Sequence, residues 1–242
     1  MDQKCTLHRF GLRRFALKNS VALYRSRELD TIDLAGIDDL RRLGITDIYD
    51  LRKQAERNIS PLLESGPINI HLLSDDLQDD ENRTHLTRTS NIIEAYGPPG
   101  ERMKHMYAAM ARHDEALRSV INAALSSPTP VLIHCANGKD RAGVVCACVQ
   151  RALGDSREAV FSDYLETNSI NEEMNHRDLQ QLAHKMGDQE LAVMAAMFAA
   201  RTEYLDAFWR SLDTLYGSFQ AFMNPDYRSA CDALATESKI IL

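Results

Sequence analysis

One short segment, residues 134–143, holds the side chains whose types and spacing could do chemistry. It reads His-Cys-Ala-Asn-Gly-Lys-Asp-Arg-Ala-Gly, so that five residues separate Cys135 from Arg141. An apolar run at 131–133 precedes the segment, and an apolar pattern with helical period follows at 144–149. A buried strand is therefore expected to feed a short loop that opens a helix. This arrangement suits a nucleophile that attacks a phosphate held in a cradle of backbone amides.

The start of a helix is a natural anion site, because its first N–H groups lack intrahelical partners and the helix dipole favours negative charge there. Successive loop amides can form a concave nest for the same anion, and Gly138 lets the backbone turn without a Cβ clash. The planar fork of Arg141 matches two phosphoryl oxygens. A thiol at Cys135 in such a field is expected to be ionised at neutral pH and to be the nucleophile.

The whole loop is predicted to bind phosphate, through Ala136, Asn137, Gly138, Lys139, Asp140 and Arg141. Lys139 would add a second cation beside the phosphate site, which favours multiply charged substrates. The alternative is a lysine that points to solvent. His134 is expected to hydrogen-bond to the backbone and to hold the loop in shape. No metal or other cofactor is predicted, because the sequence has no HExxH motif and no cluster of His and Asp.

Length and composition are those of a one-domain enzyme. The chain has 242 residues and a net charge of −7, which argues against nucleic-acid binding. No apolar run is long enough to predict a transmembrane segment, and no apolar block follows the N-terminus as in a secretory signal. We therefore expect a cytoplasmic protein, with export by another route left open. The five cysteines are scattered, and Cys146 and Cys148 fall in a helical pattern, so a reduced chain is expected.

The apolar pattern predicts strands that alternate with helices. Strands are expected at 21–24, 45–51, 68–73 and 131–134, and helices at 33–43, within 101–125, at 142–153, at 156–167 and over most of 170–223. The expected fold class is α/β, with a central, mostly parallel sheet of about four to five strands, helices on both faces and a helical C-terminal appendage. Ligands of such sheets bind at the carboxyl ends of the strands, where the loop and Asp50 both lie.

The chain is expected to form one domain, 1–242, with an α/β core at 1–168 and a mainly helical extension at 169–242. An apolar stripe in the extension is expected to pack on the core, or else to cover the mouth of the site, bind an acyl chain or contact a second subunit. Its members are Met194, Met197, Phe198, Tyr204, Phe208, Trp209, Leu212 and Leu215. The acidic stretch 75–81 is expected to be a surface loop, with a functional lid as the alternative. The sequence does not indicate an oligomeric state.

Taken together, residues 134–143 resemble the signature loop of the protein-tyrosine-phosphatase superfamily. Their Gly-Lys-Asp-Arg form resembles that of the bacterial atypical tyrosine/serine phosphatases that also accept phosphoinositides. Further motifs resemble that family in the same order between residues 10 and 225: Leu23-Tyr24-Arg25-Ser26, Leu43-Gly44-Ile45, Asp50-Leu51-Arg52 with Glu56-Arg57, Asp163-Tyr164-Leu165-Glu166-Thr167-Asn168, Tyr204-Leu205 and Tyr216-Gly217-Ser218. The chain departs from the family at Ala142, where Thr or Ser is usual, and at Asn137, where a small residue is usual. The missing hydroxyl at Ala142 implies slower breakdown of a phosphocysteine.

The resemblance implies a cysteine-dependent phosphatase that needs no cofactor. Cys135 would attack phosphorus, Arg141 and the amides would hold the equatorial oxygens, and water would then hydrolyse the phosphocysteine. A carboxyl group would protonate the leaving oxygen; the family pattern points to Asp140, with Asp50 second and Asp76 third. Asp140 could instead pair with a neighbouring loop cation, and Asp50 could be tied to the loop backbone. The implied substrates are phosphotyrosine proteins, phosphoserine or phosphothreonine proteins, or phosphoinositides.

Three other kinds of protein also place a cysteine in an anion-binding loop. A sulfurtransferase of the rhodanese kind does so, but it has no use for the Lys-Asp-Arg run. An arsenate reductase would need resolving cysteines that can reach Cys135, and Cys146 and Cys148 are expected to face the core. A non-catalytic phosphate-binding module is favoured slightly by Ala142 but opposed by the intact Cys135 and Arg141.

Overall fold

The computed structural model describes residues 5–16, 22–73 and 92–224, and these form an α/β fold around a five-stranded sheet. The strands are β1 (Arg13–Ala16), β2 (Ala22–Ser26), β3 (Asp47–Asp50), β4 (Asn69–Leu72) and β5 (Val131–His134). Their order across the sheet is β1-β2-β5-β3-β4, and all neighbours are parallel except β1 and β2. The predicted fold class is therefore confirmed.

Eleven α-helices accompany the sheet within the described ranges. They are α1 (Leu34–Arg42), α2 (Pro61–Glu64), α3 (Ile92–Tyr96), α4 (Glu101–Met110), α5 (Asp114–Ser126), α6 (Arg141–Ala152), α7 (Arg157–Ile170), α8 (Glu172–Ala183), α9 (Asp188–Phe198), α10 (Thr202–Tyr216) and α11 (Phe219–Met223). Two short 3-10 helices, Thr6–Phe10 and Gln54–Glu56, complete the described elements. None of these helices is long and apolar enough to cross a membrane.

The central strand β5 separates two hydrophobic cores. Its residues are fully buried, and alternate side chains point to opposite faces of the sheet. Leu132 packs with the smaller core, which contains residues of α1, α2 and the first 3-10 helix. Val131 and Ile133 pack with the larger core, which contains residues of α4–α7, α10 and α11. Helices therefore cover both faces, and the parallel strands at the centre are shielded from water.

Most predicted elements are confirmed, with shifts of a few residues at their ends. The helix expected at 33–43 is α1; the Asp33 carboxylate accepts a hydrogen bond from the Gly36 amide at 2.9 Å, and Gly44 follows with a φ of 72°. The strand β1 was not expected, because Arg13 and Arg14 interrupt its apolar pattern. It is an edge strand that gains its ladder from β2. The stretch 75–81 lies outside the described residues.

The helical extension shares the larger core with the rest of the chain. Tyr204, Phe208 and Leu212 of α10 are fully buried in that core, beside residues of α4. By contrast, α8 has no buried residue. The described part of the apolar stripe thus packs on the core mainly through α10, as its helical spacing predicts.

A buried polar cluster joins the sheet edge to α7. The hydroxyl of Thr167 accepts hydrogen bonds from Nη2 of Arg13 (2.9 Å) and Nη2 of Arg25 (2.5 Å), and it donates to the carbonyl of Tyr164. All three residues are less than a tenth exposed. Two buried guanidinium groups therefore depend on one hydroxyl for part of their hydrogen bonding.

Replacing this hydroxyl tests how strongly the cluster supports the fold. Thr167→Val keeps the shape of the side chain but leaves donors on two buried guanidinium groups unpaired, so we expect the free energy of unfolding to fall by about 2–4 kcal/mol. Thr214→Val is the control, because Thr214 is exposed and bonds only within its own helix. Urea denaturation of both variants measures the difference. Equal stability of the two variants would contradict the structural role of the cluster.

Candidate active site

The loop that follows β5 lies at the carboxyl edge of the sheet, as the sequence predicts. Its first residue, Cys135, is 2% exposed, and its last residues begin α6 at Arg141. The end of β3 is tied to the same edge, because the Leu51 amide donates to the His134 carbonyl at 2.9 Å. The side chain of Cys135 is therefore enclosed beneath the loop rather than displayed on the surface.

The loop amides are left free to bind an anion. Within the described residues, none of the N–H groups from Ala136 to Arg141 donates a hydrogen bond. Two loop carbonyls accept hydrogen bonds from residues outside the loop: that of Ala136 accepts from the Glu28 amide at 3.1 Å, and that of Asn137 accepts from Nδ2 of Asn171 at 3.2 Å. With its amides unpaired and these carbonyls bound to neighbours, the loop has the polarity of an anion nest.

Gly138 is required by two independent features of the loop. Its φ of 61° lies in the left-handed region, where a side chain adds strain. In addition, a Cβ atom at this position would lie 2.5 Å from the carbonyl oxygen of Ser26 and 3.0 Å from the amide nitrogen of Arg27. The loop therefore rests directly on the backbone that leaves β2.

The guanidinium of Arg141 is held by an unexpected partner, Glu56. Nη1 and Nη2 of Arg141 donate to the two carboxylate oxygens of Glu56 at 2.5 and 3.0 Å, and Nη1 also donates to the Leu51 carbonyl. Burial by itself raises the pKa of Glu56, but the hydrogen bonds from Arg141 and from the Lys53 amide hold that pKa below its ordinary value. The terminal nitrogens of Arg141 are therefore occupied in this structure, and the role of Arg141 in phosphate binding stays a prediction. Its Nε is buried and has no hydrogen-bond partner in the described chain.

Asp140 lies between a tyrosine and a lysine. Its Oδ1 accepts a hydrogen bond from the hydroxyl of Tyr107 at 2.8 Å and lies 3.4 Å from Nζ of Lys139. The side chain of Asp140 is 17% exposed, so it retains access to the mouth of the loop. It does not pair with Arg141, whose terminal nitrogens bind Glu56.

The side chain of Lys139 points neither to solvent nor to the anion-binding face of the loop. Its Nζ donates to the carbonyl of Met197, at the end of α9, and to that of Ala199 at 3.2 Å, and the residue is 2% exposed. The alternative of a solvent-facing lysine is therefore wrong. A role for Lys139 in phosphate binding stays a prediction, and in this structure its ammonium group connects the loop to the helical extension.

Asp50 is bound to an arginine of its own strand end. Its carboxylate accepts hydrogen bonds from the side chain of Arg52 at 2.9–3.2 Å and from the Arg52 amide at 3.0 Å, and it is 1% exposed. Burial favours a higher pKa, but these bonds outweigh burial and lower the pKa of Asp50. A buried, paired carboxylate suits support of the loop rather than proton donation. Asp76, the third candidate acid, lies outside the described residues.

His134 supports the loop from below. Its Nδ1 lies 3.4 Å from the Cys135 carbonyl, and its Nε2 lies 3.9 Å from Oδ2 of Asp50. Burial lowers the pKa of His134 more than the charge of Asp50 raises it. The imidazole is therefore neutral at neutral pH, and one ring nitrogen keeps its hydrogen-bond donor.

The two cysteines of α6 face the core, as predicted. Cys146 and Cys148 are both fully buried. Burial raises the pKa of Cys146 to about 12 and that of Cys148 well above its ordinary value. Neither thiol is suited to attack a partner bound to Cys135, which weighs against the arsenate reductase alternative.

Cavity size alone would not locate this site. A cavity of about 340 Å³ lies among α6, α7, α10 and α11, where Phe161, Trp209 and Phe219 line it, and no loop residue borders it. Among the described residues, no group of three or more His, Cys, Asp or Glu side chains could hold a metal ion. The free amides, the enclosed thiol and the arginine are what mark the loop as the candidate site.

Two residues of the site had no assigned role at the level of sequence. Glu56 belongs to one of the motifs that resemble the family, and this motif membership was the sequence feature that could have indicated a role for it. Tyr107 carried no signal, because a tyrosine in a helical apolar pattern reads as core packing. Both residues come to the loop from distant parts of the chain, and only the tertiary fold brings them there.

Comparisons with known proteins find similarity to tyrosine phosphatases. A family model described as "Tyrosine phosphatase family" matches residues 18–236. The chain is 33% identical over 238 residues to the triple specificity protein phosphatase PtpB of Mycobacterium tuberculosis, which covers 83% of this chain and 84% of the relative. It is 26% identical over 214 residues to a putative tyrosine-protein phosphatase of Cupriavidus necator, with 83% and 72% covered. The crystal structure of P. aeruginosa TpbA matches 76% of this chain and 96% of that chain with 18% identity and a TM-score of 0.40.

The contact beneath Gly138 leads to a test of the loop geometry. Gly138→Ala would introduce both left-handed strain and a clash with the Ser26 backbone, whereas Gly217→Ala introduces the strain alone, because nothing lies within 4 Å of its Cβ position. We expect the second variant to lose about 1 kcal/mol of unfolding free energy, while the first loses more and binds inorganic phosphate at least about tenfold more weakly. Calorimetric titration with phosphate measures the binding. Unchanged affinity in Gly138→Ala would contradict the proposed cradle.

Proposed function

The chain belongs to the tyrosine phosphatase family and is a phosphatase; we propose that it hydrolyses phosphate monoesters through a phosphocysteine formed on Cys135. The observation that carries this proposal is the loop itself: an enclosed thiol followed by six amides without partners in the described chain and by a buried arginine. Unpaired amides and a guanidinium beside a thiol favour a bound anion and the thiolate form of the cysteine, which supports an attack on phosphorus in this loop.

In the first step, the sulfur of Cys135 forms a bond to phosphorus while the bond from phosphorus to the leaving oxygen breaks. The loop amides and Nε of Arg141 hold the equatorial oxygens, on which the charge of the transition state is spread. Glu56 holds the two terminal nitrogens of Arg141, so the guanidinium does not have to become ordered when substrate binds. The leaving oxygen takes a proton from a carboxyl group.

Asp140 is the carboxyl that best suits this proton transfer. It belongs to the loop, and its side chain keeps partial exposure, whereas Asp50 is buried against Arg52. In the second step, water attacks phosphorus, the sulfur leaves as a thiolate, and the Asp140 carboxylate takes the proton of the water. Ala142 is fully buried and supplies no hydroxyl to assist the departing sulfur. Breakdown of the phosphocysteine is accordingly the slower step.

The proposed substrates are phosphotyrosine proteins first, with phosphoserine or phosphothreonine proteins and phosphoinositides as further classes. The relative from Mycobacterium tuberculosis is named for triple specificity, which supports a broad range. An enclosed sulfur favours the long phosphotyrosine side chain over shorter phosphorylated residues. If phosphoinositides are bound, Lys139 must leave the carbonyls of Met197 and Ala199 to meet a second phosphate.

The nucleophile assignment is tested by removing the sulfur. Cys135→Ser should reduce hydrolysis of an aryl phosphate by at least about 10³-fold while inorganic phosphate still binds, because the amides and Arg141 remain. Cys148→Ala removes a buried thiol elsewhere in the same core and should keep the wild-type rate. Steady-state kinetics and phosphate titration of both variants provide the comparison. A Cys135→Ser rate close to that of the control would rule out the phosphocysteine.

The role of Arg141 is tested by keeping its charge and changing its shape. A lysine cannot pair with both oxygens of Glu56 and still offer a nitrogen to phosphate, so Arg141→Lys should lower kcat/KM by about 10²–10³-fold. Arg151→Lys is the matched control: it lies on the same helix and is exposed. The measurement is kcat/KM for an aryl phosphate. A near-normal value in Arg141→Lys would show that charge alone suffices.

A further inference from the structure

We infer that Tyr107 is a positioning residue that orients the Asp140 carboxyl, so that Oδ1 remains a hydrogen-bond acceptor and Oδ2 is the oxygen that exchanges the proton with the substrate. This inference rests on the proposed function, because it concerns the acid and base of that same reaction. It assigns a role to a side chain from α4, a helix outside the loop.

The geometry is a short chain of hydrogen bonds that ends on the loop. The hydroxyl of Tyr164, on α7, lies 2.7 Å from that of Tyr107, and the hydroxyl of Tyr107 donates to Oδ1 of Asp140 at 2.8 Å. Both tyrosines are less than 2% exposed. In a buried chain of this kind each bond polarises the next, and the carboxyl loses its freedom to rotate.

The two oxygens of Asp140 differ in their surroundings. Oδ1 faces both the Tyr107 hydroxyl and the ammonium of Lys139, 3.4 Å away. Oδ2 has no hydrogen-bond partner within the described ranges. A proton on Oδ1 would displace the hydrogen bond donated by Tyr107 and would lie beside the ammonium group of Lys139, so Oδ2 is the favoured site for the proton. The acid thus presents one defined oxygen.

Tyr107 itself keeps its proton throughout the reaction. Burial, together with the charge of Asp140, raises the pKa of Tyr107 well above its ordinary value. The hydroxyl therefore remains a donor whether Asp140 is ionised or protonated on Oδ2. In the first step the proton passes from Oδ2 to the leaving oxygen, and in the second step Oδ2 takes a proton back from water.

A purely structural role for Tyr107 is the alternative, since its ring packs against that of Tyr204 with centroids 5.8 Å apart. Tyr204 offers the control. Tyr204 is equally buried as a residue, but its hydroxyl donates to the Ala196 carbonyl at 2.8 Å and makes no hydrogen bond to Asp140. Tyr107→Phe and Tyr204→Phe therefore remove the same group from the same aromatic cluster, and only the first removes a bond to the proposed acid.

The test compares these variants on two aryl phosphates, one with a poor leaving group (phenyl phosphate) and one with a good leaving group (4-nitrophenyl phosphate). Tyr107→Phe should lose about tenfold in kcat/KM on the first substrate and at most about twofold on the second, because only the poor leaving group needs full protonation. Tyr204→Phe should stay within about twofold of wild type on both substrates. In an Asp140→Asn background, Tyr107→Phe should cause no further loss.

The dependence on the leaving group supplies a readout that simple destabilisation would not move. If Tyr107→Phe loses activity equally on both substrates, or if Tyr204→Phe shows the same selective loss on phenyl phosphate, the inference is wrong. If wild type hydrolyses neither substrate, the proposed function fails instead.

Discussion

The amide groups between Ala136 and Arg141, which have no partner in the described chain, are the feature on which the rest of the site depends. In an unfolded chain such amides would donate hydrogen bonds to water or to other backbone carbonyls. In a folded chain they lack a protein partner only when contacts with neighbouring residues fix the backbone. Here the central strand ends at one side and α6 begins at the other. Gly138 lets the loop lie directly on the backbone after β2, and residues outside the loop donate hydrogen bonds to two of its carbonyls. The nest is thus a property of the whole sheet edge.

The charged side chains next to the loop form ion pairs with one another, and the loop amides take no part in these pairs. Glu56 neutralises the terminal nitrogens of Arg141, and Asp50 is bound to Arg52, which also binds Asp30 at 2.8 Å. The guanidinium groups of both pairs are buried, and losing the carboxylate of either pair would leave a buried charge without compensation. Among the described residues of the loop, the amides from Ala136 to Arg141 and Nε of Arg141 have no hydrogen-bond partner. In the proposed function a phosphate would supply the missing partners, although the net charge of the chain is −7.

Much of the fold and the centre of the site could be predicted from the sequence, because both depend on local patterns. The strand–loop–helix at 131–153, the helix at 33–43 and the buried thiols of α6 all follow from the spacing of apolar residues around a few special ones. Long-range partners could not be predicted in this way. Glu56 and Tyr107 reach the loop from distant segments, and the engagement of Lys139 by α9 depends on how the extension packs. The spacing of residues along the chain predicts which side chains share a face of one helix or strand. It says little about which helices and strands pack against each other.

The most direct test of the account is to trap the intermediate. Wild-type protein should be mixed with an excess of an aryl phosphate, quenched in acid before steady state and digested for mass spectrometry. The account predicts phosphate bound to the sulfur of Cys135, accumulating because Ala142 offers no hydroxyl to speed its release. Turnover without phosphate on this residue, or with phosphate on another side chain, would contradict it.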